Sequence, residues 1–261
     1  MTGGVSGRRI HVIGIGAGSP EFITQQAVAA MNEVDVFLVA DKGDTTSDMV
    51  ALRRSICERF IAHDHAYRFL TVTDPERGPD AGRDGRQYTD AVADWHARRT
   101  DIYAKTIAAL REDAVIGFLV WGDPAFYDST IRIVDAVAER LPVEVRVTPG
   151  ISAFQALAAA HGIVLHAIGE PVHMTTGRRL LDDWAPGCGT FVVMLDGQLA
   201  CRSLIGRAPG LWIHWGAYLG LPQQELRSGR LVDVIDEIVS LRAELRSKYG
   251  WIMDVYALTG T

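Results

Sequence analysis

Ile10-His11-Val12-Ile13-Gly14-Ile15-Gly16-Ala17-Gly18-Ser19-Pro20 is an apolar run that ends in three alternate glycines and a proline. An unbroken apolar run of this length, stopped by turn residues, is a strand buried on both faces. The segment from about Phe22 to Asn32 is helix-prone, and Val34 to Ala40 is a second apolar run, ending at Asp41. Strand, helix and strand over so short a stretch make a βαβ unit, which requires the two strands to be parallel. The opening glycine turn therefore stands at the carboxyl end of a parallel sheet, where an open α/β sheet places its ligand.

Two further apolar runs end the same way. Val115 to Trp121 enters Trp121-Gly122-Asp123-Pro124, and Val143 to Val147 enters Thr148-Pro149-Gly150-Ile151-Ser152-Ala153. Helices are expected at Met49 to Phe60, Thr130 to Arg140 and Ser152 to His161. Tyr88, Val92, Trp95, Ile102, Thr106 and Leu110 mark one face of a long helix. From His63 to Gln87 the periodicity lapses, and the breakers between Asp74 and Gly85 read as a loop. The first half is thus a doubly wound parallel sheet.

After Gly162 the pattern changes. Strands are expected at Pro171–Thr176, Thr190–Leu195, Leu211–Trp215 and Trp251–Leu258, and Leu231, Val234, Ile235, Ile238, Leu241 and Leu245 form an amphipathic helix. The expectation is α/β with two domains: residues 1–165 carrying the glycine turns, and residues 166–261 with a smaller mixed sheet.

Hydrophobic residues make up 48% and charged residues 22%, which suits a globular domain with a substantial core. A net charge of −6 argues against nucleic acid or an anionic membrane as partner. Cys57, Cys188 and Cys201 are scattered, without metal or disulfide spacing, and suit a reducing cytoplasm. No apolar run is long enough to span a membrane. Met1 to Arg9 lacks the order of a signal peptide, so a soluble cytoplasmic protein is expected. His63 and His65 are two residues apart without a third ligand in view, and no metal is expected.

The first turn is not a dinucleotide fingerprint, because Ser19 stands where the third glycine of GxGxxG belongs and Gly18 comes one residue early. Pro20 suits the first turn of the following helix. Asp123, held extended by Pro124, can turn its carboxylate to the crevice, and Ser152 is placed to cap the next helix. A nicotinamide-dependent oxidoreductase, which would explain the first turn, and a non-catalytic carrier, which would keep the cleft, are alternatives.

In order, spacing and wording the three turns resemble the tetrapyrrole methylases, a family of S-adenosylmethionine-dependent methyltransferases. The likeness rests on Gly14, Gly16, Gly18, Pro20, Glu21 and Thr24, on Gly122, Asp123 and Pro124, and on Pro149, Gly150 and Ile151. It implies a homodimer of two-domain subunits, with S-adenosyl-L-methionine in the cleft between domains and a tetrapyrrole (precorrin) substrate. It places the cofactor against Gly16, Trp121, Gly122, Asp123, Phe126, Ser152, Ala153, Met194, Gly216 and Ala217. Asp41 matches an acidic position that helps deprotonate substrate. Tyr127, His96 and Tyr88 are the further candidates for acid–base work, and Arg53, Arg54, Arg98 and Arg99 for gripping substrate carboxylates.

The chain departs from the family at Ala17, Ser19, Val164, His166 to Ile168 and Arg178, and it is longer between His63 and Arg99. These departures bear on the substrate more than on the cofactor. The segments Ala40–Gly43, Ala93–His96 and Trp121–Tyr127 are the ones that narrow the choice of member.

Overall fold

The computed structural model describes residues 7–41, 47–76, 78 and 85–260, and the side chains of residues 41 and 47–50 lie outside that description. It divides into two compact units, Met1–Gly16 with Phe22–Ile151 and Ala17–Glu21 with Ser152–Thr261.

The first unit holds β1 (Arg8–Gly14), β2 (Val36–Asp41), β3 (Arg68–Thr73), β4 (Val115–Val120) and β5 (Val143–Thr148). Their order is β3-β2-β4-β1-β5, and every pairing is parallel. The helices are α1 (Gln25–Met31), α2 (Ser47–Phe60), α3 (Gly85–Ala108) and α4 (Thr130–Ala138). Alternate residues of β4 enter opposite cores. Ile116, Phe118 and Val120 pack with residues of α3 and α4, while Val115 and Leu119 pack with residues of α1 and α2. Helices cover both faces, which is why the central strands read as unbroken apolar runs. The doubly wound parallel sheet is as expected.

Three local expectations need correction. β3 lies where periodicity lapses, just ahead of the breakers read as a loop; it is an edge strand with one buried residue, Val72, so its sequence carries little apolar signal. The long helix starts at Gly85, earlier than its apolar face suggested. Pro20 does not begin the following α-helix. It opens a separate 3-10 turn, Pro20–Phe22, and α1 begins at Gln25 with Thr24 Oγ1 accepting from Ala27 N at 3.0 Å.

The second unit holds β6 (Val172–Thr176), β7 (Thr190–Met194), β8 (Trp212–Ala217), β9 (Glu225–Arg230) and β10 (Asp254–Thr259), ordered β6-β7-β10-β8-β9. Only β6–β7 is parallel; β10 runs antiparallel to β7 and β8, and β9 antiparallel to β8. With α5 (Ala153–His161), α6 (Leu180–Asp183) and α7 (Leu231–Tyr249) this is the expected mixed α/β arrangement. Leu231, Ile235, Ile238 and Leu245 of α7 join the buried Trp215, Tyr218 and Tyr256 in one core. The edge strand β9, Glu-Leu-Arg-Ser-Gly-Arg, was missed because only Leu226 in it is apolar.

Candidate functional site

At the carboxyl end of the parallel sheet the three glycine turns meet backbone to backbone. Gly122 N donates to Gly16 O at 2.8 Å and Gly16 N to Gly122 O at 3.3 Å. A Cβ on Gly150 would lie 2.1 Å from Gly122 O, and one on Gly14 would lie 2.6 Å from Gly150 N. Glycine at both positions is therefore a steric requirement. Asp123 locks the junction: its Oδ2 accepts from Gly150 N at 2.9 Å and its Oδ1 from Ala125 N at 2.8 Å. Both carboxylate oxygens serve backbone amides, so Asp123 shapes the turns instead of presenting a bare carboxylate to the crevice.

Trp121 is half-buried, and its Nε1 is a buried donor with no hydrogen-bond partner among the described residues. The Arg53 guanidinium lies 5.3 Å from the Trp121 ring centre and uses Nε to reach Leu119 O at 3.2 Å. Burial pulls the Arg53 pKa below its ordinary value, and Asp128 partly offsets this. The other arginines are differently occupied. Arg99 forks onto Asp74 at 2.5 and 2.9 Å, Arg98 pairs with Asp94 on the exposed face of α3, and Arg54 lies over Phe69. Phe126 N donates to Asp123 O at 3.1 Å, and Tyr127 is exposed with φ of 53°, the left-handed region that costs a non-glycine residue energy and recurs at ligand sites. His96 Nε2 is 2.7 Å from Ser129 Oγ. Asp41 ends β2 opposite Thr73, but its side chain lies outside the described residues, as do Lys42 and Gly43.

In the second unit Ser152 is buried and caps α5, where Gln155 Oε1 accepts from Ser152 N and Oγ, each at 2.9 Å. Ala153 is the first residue of that helix. Met194 ends β7 and Gly216-Ala217 ends β8, so both stand at carboxyl ends of strands. A Cβ on Gly216 would press within 2.7 Å of Leu219 and 2.9 Å of Leu157.

Beside these, the sequence reading missed a buried carboxylate. Asp196 accepts from Gln198 N at 3.0 Å, Ala200 N at 2.7 Å and the Tyr256 hydroxyl at 2.6 Å. It fixes the turn after β7, in which Leu195 takes φ of 52° while 69% exposed. Tyr218, just past Ala217, has φ of 50°. The only sequence signal was Asp196-Gly197 directly after an apolar run. A cavity of about 420 Å³ in this unit, lined by Ile163, Trp184, Thr190, His214 and Thr259 among others, contains none of the expected residues. Among the described residues no group of three or more His, Cys, Asp or Glu could hold a metal ion, and His65 Nε2 instead contacts Val34 O at 2.8 Å.

Residues 9–235 match the family described as Tetrapyrrole (Corrin/Porphyrin) Methylases. The chain belongs to the tetrapyrrole methylase family. This methylase is 42% identical over 254 residues to a precorrin-6A synthase [deacetylating] of Sinorhizobium sp, covering 96% of this chain and 95% of that one. Among solved structures it resembles a cobalamin synthesis related protein (CobF) of Corynebacterium diphtheriae, with TM-score 0.79 and 38% identity over 97% of this chain and 98% of that one. A uroporphyrin-III C-methyl transferase of Thermus thermophilus, solved with S-adenyl homocysteine, shares the fold at TM-score 0.58 and 18% identity over 96% of this chain and 92% of that one. The family uses S-adenosylmethionine, and membership displaces the oxidoreductase and carrier alternatives.

Proposed function

We propose that this methylase is a precorrin-6A synthase that methylates ring carbon 1 of precorrin-5 and releases the extruded acetyl group as acetate. The observation that carries this reading is the 42% identity to such an enzyme over almost the full length of both chains. The segments Ala40–Gly43, Ala93–His96 and Trp121–Tyr127 point the same way. A second reading, methylation of another precorrin carbon, draws on the 28% identity over 187 residues to a precorrin-2 C(20)-methyltransferase of Sinorhizobium sp.

S-adenosylmethionine supplies an already activated methyl group, so alignment is the protein's main contribution, worth roughly 7–11 kcal/mol in well-oriented reactions. The proposed contacts are Gly16, Trp121, Gly122, Phe126, Ser152, Ala153, Met194, Gly216 and Ala217, with Asp123 shaping the turns. The residues fit such a group: Gly16 and Gly122 bring two strand-end turns together, and the indole N–H of Trp121 is a buried donor without an acceptor among the described residues. The terminal nitrogens of Arg53 make no ion pair or hydrogen bond with the described residues. It is proposed to grip a substrate carboxylate in bidentate fashion. Asp41 and Tyr127 are proposed as acid–base groups toward the substrate.

A homodimer is proposed from the family likeness. Among the described residues no helix is long and apolar enough to cross a membrane, and a cytoplasmic location is proposed from the unpaired thiols.

The test is anaerobic incubation with precorrin-5 and methyl-labelled S-adenosylmethionine. One labelled methyl gained with one acetate released is expected. Cofactor binding without label transfer would move the search to other precorrins.

A further inference from the structure

Ser129 occupies the residue before α4, where a serine hydroxyl ordinarily caps the helix, yet its side chain makes no capping bond. Asp128 Oδ1 takes that role, accepting from Thr130 N at 2.6 Å. The Ser129 hydroxyl is instead 2.7 Å from His96 Nε2, the separation of a nucleophile from its base. Both side chains are half-buried, so a reacting group can approach them.

The stretch of α3 that carries His96 is anchored from behind. Trp95 donates Nε1 to Pro75 O at 3.0 Å and lies 5.3 Å from the His96 ring, while Arg99 forks onto the buried Asp74. An ion pair buried and forked in this way holds the helix face in place. Ser129 closes the loop that starts at Trp121-Gly122, the loop proposed to meet the cofactor.

The other serine–histidine contact differs. Ser228 and His214 are opposed on neighbouring strands, and the Ser228 hydroxyl also accepts from Trp212 Nε1 at 3.0 Å. Of these two pairs among the described residues, Ser129–His96 is the one that follows a glycine turn along the chain.

We propose that Ser129 and His96 carry the deacetylation, Ser129 as nucleophile and His96 as its base, which rests on the precorrin-6A synthase reading. His96 Nε2 takes the hydroxyl proton as Ser129 Oγ bonds to the acetyl carbonyl carbon. The bond from that carbon to the ring carbon breaks, and its electron pair stays on the ring carbon, which is thereby the nucleophile that methylation needs. As the ring carbon takes the methyl group, His96 releases the hydroxyl proton to solvent; water then attacks the acetyl–Ser129 ester, and its proton passes through His96 to Oγ as acetate leaves. One water is consumed, and nothing is oxidised or reduced. Ser129 stands at the positive end of α4, which favours the oxyanion formed on the acetyl group. Carbon–carbon cleavage thus supplies the carbon nucleophile and narrows Asp41 to protons elsewhere on the substrate.

The test uses the whole protein with precorrin-5 and methyl-labelled S-adenosylmethionine, following acetate and label separately. Ser129→Ala and His96→Asn should each slow acetate release at least about a hundredfold, and label transfer with it. The double variant should be little worse than either single one, as for residues acting as a unit. S-adenosylmethionine binding by calorimetry should stay within about twofold of wild type, which shows the variants folded. Ser129→Cys, a second variant of similar size, should accumulate an acetyl thioester at position 129. Acetate release by Ser129→Ala within about tenfold of wild type, or no thioester in Ser129→Cys, would overturn the proposal alone. A wild-type protein that neither releases acetate nor transfers label would sink the underlying reading together with it.

Discussion

The carboxyl end of the parallel sheet and the turn after β7 in the second unit both fix the shape of the backbone, by different means. In the first, Gly14, Gly122 and Gly150 let three turns touch directly, and a carboxylate, Asp123, ties two of them together. In the second, the close-packed glycine, Gly177, meets a side chain and not backbone, since a Cβ there would lie 2.2 Å from Asp196 Cγ. The turn is bent by a buried carboxylate, Asp196, with Leu195 forced into the left-handed region beside it. The first is built by removing side chains and the second by burying one. A backbone junction has no slack, because its atoms cannot rotate away, whereas a side-chain anchor fails in proportion to the bonds it loses.

The largest effect should come from Gly150→Ala, whose methyl would overlap Gly122 O. Overpacking against backbone should cost about 3 kcal/mol or more, with S-adenosylmethionine binding lost, as read by thermal unfolding and calorimetry. Gly197→Ala in the second region, where a Cβ meets nothing within 4 Å, should change neither. If both variants behave alike, the contrast drawn between the regions is wrong.

Next come the two carboxylates. Asp196→Ala strands three donors and should cost about 2–4 kcal/mol of stability. Asp123→Ala strands two backbone amides at the junction, worth about 1.5–3 kcal/mol, and should appear chiefly as weaker cofactor binding, with Asp123→Asn milder. A stability loss at Asp123 equal to that at Asp196, without loss of affinity, would merge the two roles.

A smaller effect is expected from pH. His11 in the first unit and His214 in the second both have pKa values lowered from 6.5, chiefly by burial. Glu33 opposes the shift at His11, and His161 reinforces it at His214. Below about 6.5 the unfolded chain binds protons that the folded one refuses, so stability is full above that pH and falls as the pH drops beneath it. Calorimetry across this range should show the fall, and His214→Gln should flatten it.

Smallest of all, Leu195→Gly should raise stability by up to about 1 kcal/mol by relieving the left-handed backbone. A loss instead would mean that the exposed leucine packs against something.

Much of the first region was legible because its signals are local. Gly14-Ile-Gly16, Gly122-Asp-Pro124 and Pro149-Gly150 announce turns by residue type, and the apolar runs before them announce buried strands. β3 and β9 were not legible, since edge strands bury too little to need an apolar pattern. Asp196 was not singled out because an aspartate before glycine is an ordinary turn. Its meaning comes from Tyr256, 60 residues later.

The sequence by itself determined the two α/β folds, the glycine turns and the family, because periodicity and turn chemistry are written residue by residue. Tertiary structure alone decided what the carboxylates and hydroxyls do. Asp123 turns to the amide of Gly150, 27 residues on, and Ser129 abandons its cap for His96, 33 residues back. A polar side chain has several partners available to it in the chain, and only packing chooses among them.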